Sequence, residues 1–433
     1  MTLNRIGCFL SLCFLSLFLC GLLLVERSEA QTFGVELHNN LMPAAGGMGG
    51  VSLARPQDLT SGINGNPATL TQFAGTQFLF GSAWTEPTFN MNQTEDIPLF
   101  GVEPFSAKSS APGLPVGNIG VTQDFGELGI PATLGIGFVT TSGAFADYRH
   151  VPESNGTNTG LAIFSVPVVA GLDLTDRWAV GAGMALGIAF YDGPFVGVGG
   201  MTPDFALRGS FGTNYRLTPA TTLGAYYQTK QSFQFQNAFR FELGTLEEAW
   251  DINLDLPQNV GVGLANQSLM DGRLLLGVDV VYKLWDRTSS FGNYYNNQLV
   301  VQLGSQLCVG RWRLRSGYAW AENPIATDIL DFEFGGDPDV GGVPITSIPA
   351  FSYAQGLVAV TSQHRISAGI GVVDVLPGVD LDIMGGGMLK SSQQLGDFTF
   401  TDIQGYWIGA GLTWRFGRGS CCETTNVPNS WQF

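Results

Sequence analysis

Few residues in this chain have a type and spacing that could do covalent chemistry. His38, His150 and His364 are scattered, and none belongs to a cluster of carboxylates or cysteines that could hold a metal or run acid–base catalysis. The glycine-rich runs (Gly46-Gly47-Met48-Gly49-Gly50, Gly181 to Gly187, Gly385-Gly386-Gly387) neither complete a dinucleotide fingerprint nor sit between a strand and a helix. A Gly-x-Ser-x-Gly nucleophile elbow is missing. Cys308, Cys421 and Cys422 lack metal-type spacing, and adjacent cysteines bridge each other poorly, which leaves unpaired or tail-linked thiols. No catalytic residue, metal ligand or cofactor is assigned, and a non-enzymatic protein is expected. The chemistry left is binding. Lys283, Arg287 and Arg240 are the basic candidates for ligand contact, each equally open to pairing with another internal charge, and Phe33, Val35 and Leu37 are the apolar ones. That apolar trio also reads as ordinary packing.

The elements that would position such residues are strands. Tyr406, Ile408, Ala410, Leu412, Trp414 and Phe416 alternate with Gly409, Gly411, Thr413 and Arg415, and only Trp407 breaks the rule. A period of two over about ten residues is a strand with one apolar and one polar face. The pattern recurs at Gln77–Phe89, Leu114–Gln123, Ile130–Ala144, Gly160–Leu174, Trp178–Tyr191, Asp204–Leu217 and Thr221–Phe235. It continues through Ile252–Asn266, Arg273–Trp285, Asn296–Cys308, Arg311–Trp320, His364–Val375, Val379–Lys390 and Ile403–Phe416. Fourteen strands are an even number, and the links alternate between short turns such as Thr175-Asp176-Arg177 and Pro377-Gly378 and long loops such as Ala321–Gln363. Charged residues fall on one face, as with Arg313 and Arg315 against Trp312, Leu314, Tyr318 and Trp320. A soluble β-sandwich could alternate too, but one-sided long loops point to an all-β membrane protein, a 14-stranded antiparallel transmembrane β-barrel.

Composition agrees. Arg5 precedes an apolar run from Ile6 to Val25, and Ser28-Glu29-Ala30 has the small residues of a cleavage site, so residues 1–30 read as a signal peptide. A membrane-anchoring helix is the competing reading, because the run is almost long enough to span. The leading segment carries two charges of each sign, so the chain after it keeps the net charge of −16, which argues against nucleic acid as a partner. The 59 glycines and 13% charged residues suit a barrel with lipid outside and small side chains inside. The resulting division is residues 1–30 signal, 31–73 N-terminal plug, 74–416 barrel and 417–433 tail.

Asn66-Pro67-Ala68 pairs an N-capping side chain with proline at the first helical position. With Leu70 and Phe73, the triplet resembles the plug motif of the FadL family of outer-membrane transporters for long-chain fatty acids and other hydrophobic compounds. Leu172-Asp173-Leu174-Thr175-Asp176-Arg177-Trp178 is similar to that family's short turn into a glycine-rich strand. Leu254-Asp255-Leu256-Pro257-Gln258 resembles its Leu-Pro-Glu element, with Gln258 in place of the acid. Trp312-Arg313-Leu314-Arg315-Ser316-Gly317 followed by Asn323-Pro324-Ile325 is similar to its strand and following segment.

The resemblance implies a plugged monomer in the bacterial outer membrane, with membrane lipid around it and a hydrophobic small molecule as ligand. It also implies passive uptake with lateral exit at a kinked third strand. Gly135, Gly137 and Gly143 lie on that strand, and glycine marks bulges, so the gap is placed at Thr141-Ser142-Gly143; accommodation of a plug would explain the same glycines equally well. A structural or adhesive barrel and a porin for polar solutes are the alternative functions. The long apolar loop Ala321–Gln363 is suited to capturing neutral cargo.

Overall fold

The computed structural model describes Glu36 and residues 38–193, 201–243, 246–326, 339–340, 343–344, 347–358 and 362–416. Residues 1–30, expected to be a signal peptide, Phe33, Val35, Leu37 and residues 417–433 with Cys421 and Cys422 lie outside the described residues. Nineteen strands are described. In chain order these are β1 (Thr76–Gln93), β2 (Phe105–Lys108), β3 (Leu114–Asp124), β4 (Ala132–Asp147), β5 (Asn158–Thr175), β6 (Trp178–Asp192), β7 (Thr202–Thr218), β8 (Thr221–Gln228), β9 (Gln231–Leu243) and β10 (Leu246–Leu256). After them come β11 (Gln258–Leu269), β12 (Leu274–Leu284), β13 (Gln298–Val309), β14 (Trp312–Ala321), β15 (Asp339–Val340), β16 (Val343–Pro344), β17 (His364–Leu376), β18 (Val379–Leu395) and β19 (Thr399–Phe416). Three α-helices join them: α1 (Leu59–Asn64), α2 (Ser290–Tyr294) and α3 (Ser347–Val358).

Fourteen of the strands close an antiparallel ring in the order β1, β3 to β8, β11 to β14 and β17 to β19. The last strand pairs with the first in unbroken register from Thr76↔Phe416 to Gln93↔Thr399. Closure removes the sheet edges, and the backbone groups paired along the ladders are satisfied without water. The short links are tight. At β11–β12, Met270, Asp271 and Gly272 all take positive φ (53°, 56° and 80°), which a two-stranded reversal of this length needs.

Alternation sets the two faces. Phe205, Leu207 and Phe211 of β7 point outward, and the first two are 61% exposed. Ile366 and Ile370 of β17, Ile383 of β18 and Ile408 of β19 extend this apolar band around the ring. A soluble protein rarely exposes more than a few hundred Å² of contiguous apolar surface, so the band is a lipid-facing one. The inward residues include Arg208, Asp279, Lys283, Arg313, Arg315, Arg365 and Asp382, all buried. Arg315 reaches Asp382 at 2.5 Å and Gln306 at 2.6 Å, so this lumenal charge is paired.

Two expected strands are shorter than read. Thr221–Phe235 divides at Thr229-Lys230, and Ile252–Asn266 divides at Pro257. Proline cannot donate to a ladder, and the ring pairing of β8 with β11 ends at Asn259↔Gln228. Beyond that point β9 and β10 form a separate hairpin. Arg208 from β7 holds the bend, donating to the carbonyls of Thr229 (2.9 Å) and Pro257 (2.6 Å). Phe233 and Phe235 of the hairpin are buried in one cluster with Tyr191, Leu256, Trp285 and Tyr295.

The N-terminal segment up to Phe73 packs on the inward side of strands all around the ring. Its turn Gly46–Met48 meets β13, β14, β17 and β18, α1 meets β1, β3, β4 and β5, and the turn Pro67–Gln72 meets β4 to β7. Asp58 organises it. One carboxylate oxygen accepts from the backbone of Ala44 and Ala45 at 3.0 and 2.8 Å, and the other caps α1 through Ser61 N–H at 2.8 Å. Asp279 of β12 accepts from the N–H groups of Ser52 and Leu53 at 2.6 and 2.9 Å, tying the segment to the wall. At the long-loop end, α3 packs on β18 and β19. Tyr353 and Leu357 of that helix join a buried cluster with Phe89, Phe105, Tyr148 and Ile403.

Candidate functional site

Asn66-Pro67-Ala68 forms the capped turn its composition predicts. The Asn66 side chain accepts from Ala68 N–H at 3.1 Å, and its amide donates to the carbonyls of Leu53 (2.8 Å) and Thr213 (3.0 Å). The third bond crosses to β7 and fastens the motif to the barrel wall. Glycine makes that approach possible. A Cβ on Gly212 would strike Asn66 Oδ1, and one on Gly181 would strike the backbone of Pro67 and Ala68. The glycine-rich run Gly181 to Gly187 is therefore, in part, a seat for this motif.

Thr141, Ser142 and Gly143 lie at an irregularity of β4. The register with β5 slips between Thr140 and Ser142, which leaves Thr141 as an extra residue. Val139 and Thr140 are consequently both buried, where strict alternation would turn one outward. The ladder from β3 to β4 runs only from Asp124↔Thr133 to Asn118↔Val139. Nearer the long-loop end, Ser109 N–H donates to Phe89 O at 2.8 Å and Ser110 N–H to Asp147 O at 2.8 Å. Between the Asn118↔Val139 pair and the Ser110–Asp147 bond, β3 and β4 share no ladder pair among the described residues. Across that interval a Cβ on Gly143 would meet a single heavy atom, Leu114 Cδ1 at 3.9 Å.

A cavity of about 100 Å³ occupies the interval, lined by Phe89, Leu114, Val116, Ser142, Gly143, Phe145, Phe164, Met388 and Ile403 among others. Its lining comes from both faces of the wall. Phe89, Val116, Met388 and Ile403 are buried inward side chains. Phe164 is on the outer face, stacked at 5.6 Å on the lipid-exposed Phe138. The cavity thus takes its lining from the lumenal and the lipid-facing side chains, and that lining is predominantly apolar.

On the other side of the bulge is a small polar cavity of about 30 Å³, with Thr141, Ser165, Gln228, Gln231, Arg208, His38 and Glu36 in its lining. Glu36 is 4% exposed. One of its oxygens accepts from Arg208 at 2.9 Å, and the other lies 3.4 Å from Lys283 Nζ. Asn259 Nδ2 is 3.2 Å from both oxygens. Burial raises the Glu36 pKa, but Arg208, Lys283 and His38 more than offset that and hold the carboxyl at about 2. Burial and the nearby Lys283 push His38 down to about 3 against the pull of Glu36. His38 is therefore neutral, and its 3.7 Å approach to Glu36 is not an ion pair.

Of the basic residues singled out from sequence, Lys283 is in this cluster, 2% exposed, with Nζ 5.9 Å from the centroid of the Trp285 ring. Arg287 is exposed on the turn after β12. Arg240 is on β9, and its side chain lies outside the described residues, as do Phe33, Val35 and Leu37. Sequence reasoning missed Glu36 and the part played by Arg208 and Asn259. An acid set among the apolar residues Phe33, Val35 and Leu37 was the available signal. Among the described residues no group of histidine, cysteine and acidic side chains could hold a metal ion.

No protein-family model matches the chain, and no curated protein does. Solved structures do. The Pseudomonas putida toluene transporter TodX superposes over 90% of this chain and all of its own, with 15% identity and a TM-score of 0.62. The Ralstonia pickettii toluene transporter TbuX covers 88% of this chain and all of its own, at 15% identity and a TM-score of 0.63. A Pseudomonas aeruginosa FadL homologue covers 90% and all of its own, at 13% identity and a TM-score of 0.61. The chain has the FadL-type fold. Its closed ring of fourteen strands and its apolar outer band are those of an outer-membrane barrel. In this FadL-type barrel no described helix is long and apolar enough to cross a membrane.

Proposed function

We propose that this chain is a passive outer-membrane channel for hydrophobic small molecules, such as hydrocarbons, aromatics or long-chain fatty acids. The N-terminal segment acts as its plug, and cargo leaves sideways through the opening between β3 and β4. One observation carries this reading: the apolar cavity beside the β4 bulge is lined from the lumen and from the lipid face at once. Returning a buried CH₂ to water costs about 0.8 kcal/mol, so a ten-carbon cargo would face about 8 kcal/mol at an aqueous exit. A side opening into the bilayer avoids that barrier. The aromatic cluster around Phe105, Tyr148 and Tyr353 supplies an apolar entrance at the long-loop end. The toluene transporters and the FadL homologue of the same fold support hydrophobic cargo in general.

The test is uptake into proteoliposomes of radiolabelled hexadecane, oleate and sucrose. Hexadecane or oleate uptake above that of protein-free vesicles, with sucrose excluded, is the expected result. Sucrose flux alone would make the protein a porin, and no flux of any of the three would make it a structural barrel.

A further inference from the structure

The Glu36 cluster has the composition of a carboxylate receptor. Two cations and one amide donor converge on a single carboxylate: Arg208 at 2.9 Å, Lys283 at 3.4 Å and Asn259 at 3.2 Å to both oxygens. All are buried, and the three receptor groups come from three different barrel strands. The carboxylate they hold is the chain's own, near the start of the N-terminal segment. The adjoining cavity of about 30 Å³ has room for about two waters and none for a second carboxylate with an alkyl chain behind it. The seat is built and filled.

We infer that Glu36 is a tethered occupant of a carboxylate seat and that it makes the lumen selective for uncharged hydrophobic cargo. The inference rests on the transport reading above and names its substrate class. An anionic amphiphile entering this lumen can be bound only where its charge is paired, because an unpaired buried carboxylate costs several kcal/mol. Arg208 and Lys283 offer that pairing, but a tethered competitor at an effective concentration of millimolar order opposes any free carboxylate well below that concentration. A neutral ligand needs no partner there and does not compete. Neutralising Glu36 leaves the two cations without their carboxylate, so the tethered side chain no longer competes by charge and a carboxylate from cargo can displace it.

Oleate and methyl oleate share a chain and differ in charge, so the ratio of their affinities isolates the seat from any general loosening of the plug. Binding of each is measured on the purified full-length barrel for wild type, Glu36→Gln and Glu36→Gln/Lys283→Gln. The wild type is expected to bind methyl oleate at least about tenfold more tightly than oleate. Glu36→Gln should raise oleate relative to the ester by about tenfold or more, and the added Lys283→Gln should take most of that gain back. An unchanged ratio in Glu36→Gln, with the ester still bound, overturns the inference and leaves the transport reading standing. Binding of neither ligand by the folded wild type overturns both. Should Glu36→Gln fail to fold, the wild type still decides, because equal affinity for acid and ester would overturn the inference.

Discussion

Asn66 is the point at which the N-terminal segment is both capped and fastened to the wall, so replacing it tests whether that segment is held as described. Asn66→Ala removes three hydrogen bonds, one from Ala68 N–H and two to the carbonyls of Leu53 and Thr213. Losing the cap costs about 1 kcal/mol. Each buried carbonyl left without this donor adds about 1–2 kcal/mol, for a total of about 3–5 kcal/mol. At 1.4 kcal/mol per factor of ten, docking of the segment weakens by roughly a hundredfold to a few thousandfold. Asn66→Asp keeps the capping oxygen but turns its other oxygen toward two carbonyls, so it should be at least as damaging despite its size. The assay is amide hydrogen exchange over residues 44–73, with conductance in planar bilayers as the functional readout. Protection should fall by the stated amount in both variants, and brief openings should become frequent, while the barrel ladders keep their protection. Exchange in Asn66→Ala within about 0.5 kcal/mol of wild type, the range of an ordinary surface substitution, would refute the reasoning.

Two other outcomes follow from buried charge. Asp279→Ala removes the acceptor of the Ser52 and Leu53 N–H groups, leaving two buried donors unpaired, and should destabilise the segment by about 2–4 kcal/mol in the same exchange assay. Acid should release the segment's start. The Glu36 pKa is lowered to about 2, so its stabilisation is complete above the ordinary carboxylate range near 4.5 and is lost as pH falls toward 2. His38 stays neutral down to about 3 while a freed histidine takes up a proton near 6.5, so falling pH favours the undocked form across that window as well. The charged groups that act on this pair are Arg208 of β7, Lys283 of β12 and Arg365 of β17, all cationic. Conductance measured from pH 8 to pH 3 should be flat above about 7 and rise below about 6, and closure on acidification would contradict this.

The barrel was legible in the sequence because lipid and lumen impose opposite chemistry on alternate residues. Tyr406 to Phe416 already carried the closing strand, and its partner proved to be the first strand in unbroken register. Trp407, the one residue out of pattern, is buried inside with Phe89 and Met388. The divided strands were not legible. Alternation continues across Thr229-Lys230, and Pro257 is a single interruption whose effect depends on Arg208 reaching both bends from another strand. The gap expected at Thr141-Ser142-Gly143 falls on a strand irregularity that glycine does not cause. Glycine drew attention to Thr141-Ser142-Gly143, yet the inserted residue is Thr141. Glu36 stood out only as an acid among apolar residues; its meaning comes from Arg208, Asn259 and Lys283, which lie far away in sequence and meet only when the ring closes.

The most direct test of lateral exit is to fill the opening and leave the lumen alone. Gly143 borders the interval where β3 and β4 are unpaired, and its missing side chain faces open space apart from Leu114. In vesicles containing Gly143→Trp, hexadecane uptake should fall by about tenfold or more, with the folded barrel retained and sucrose still excluded. Uptake at the wild-type rate through a barrel so blocked would contradict a route through the wall.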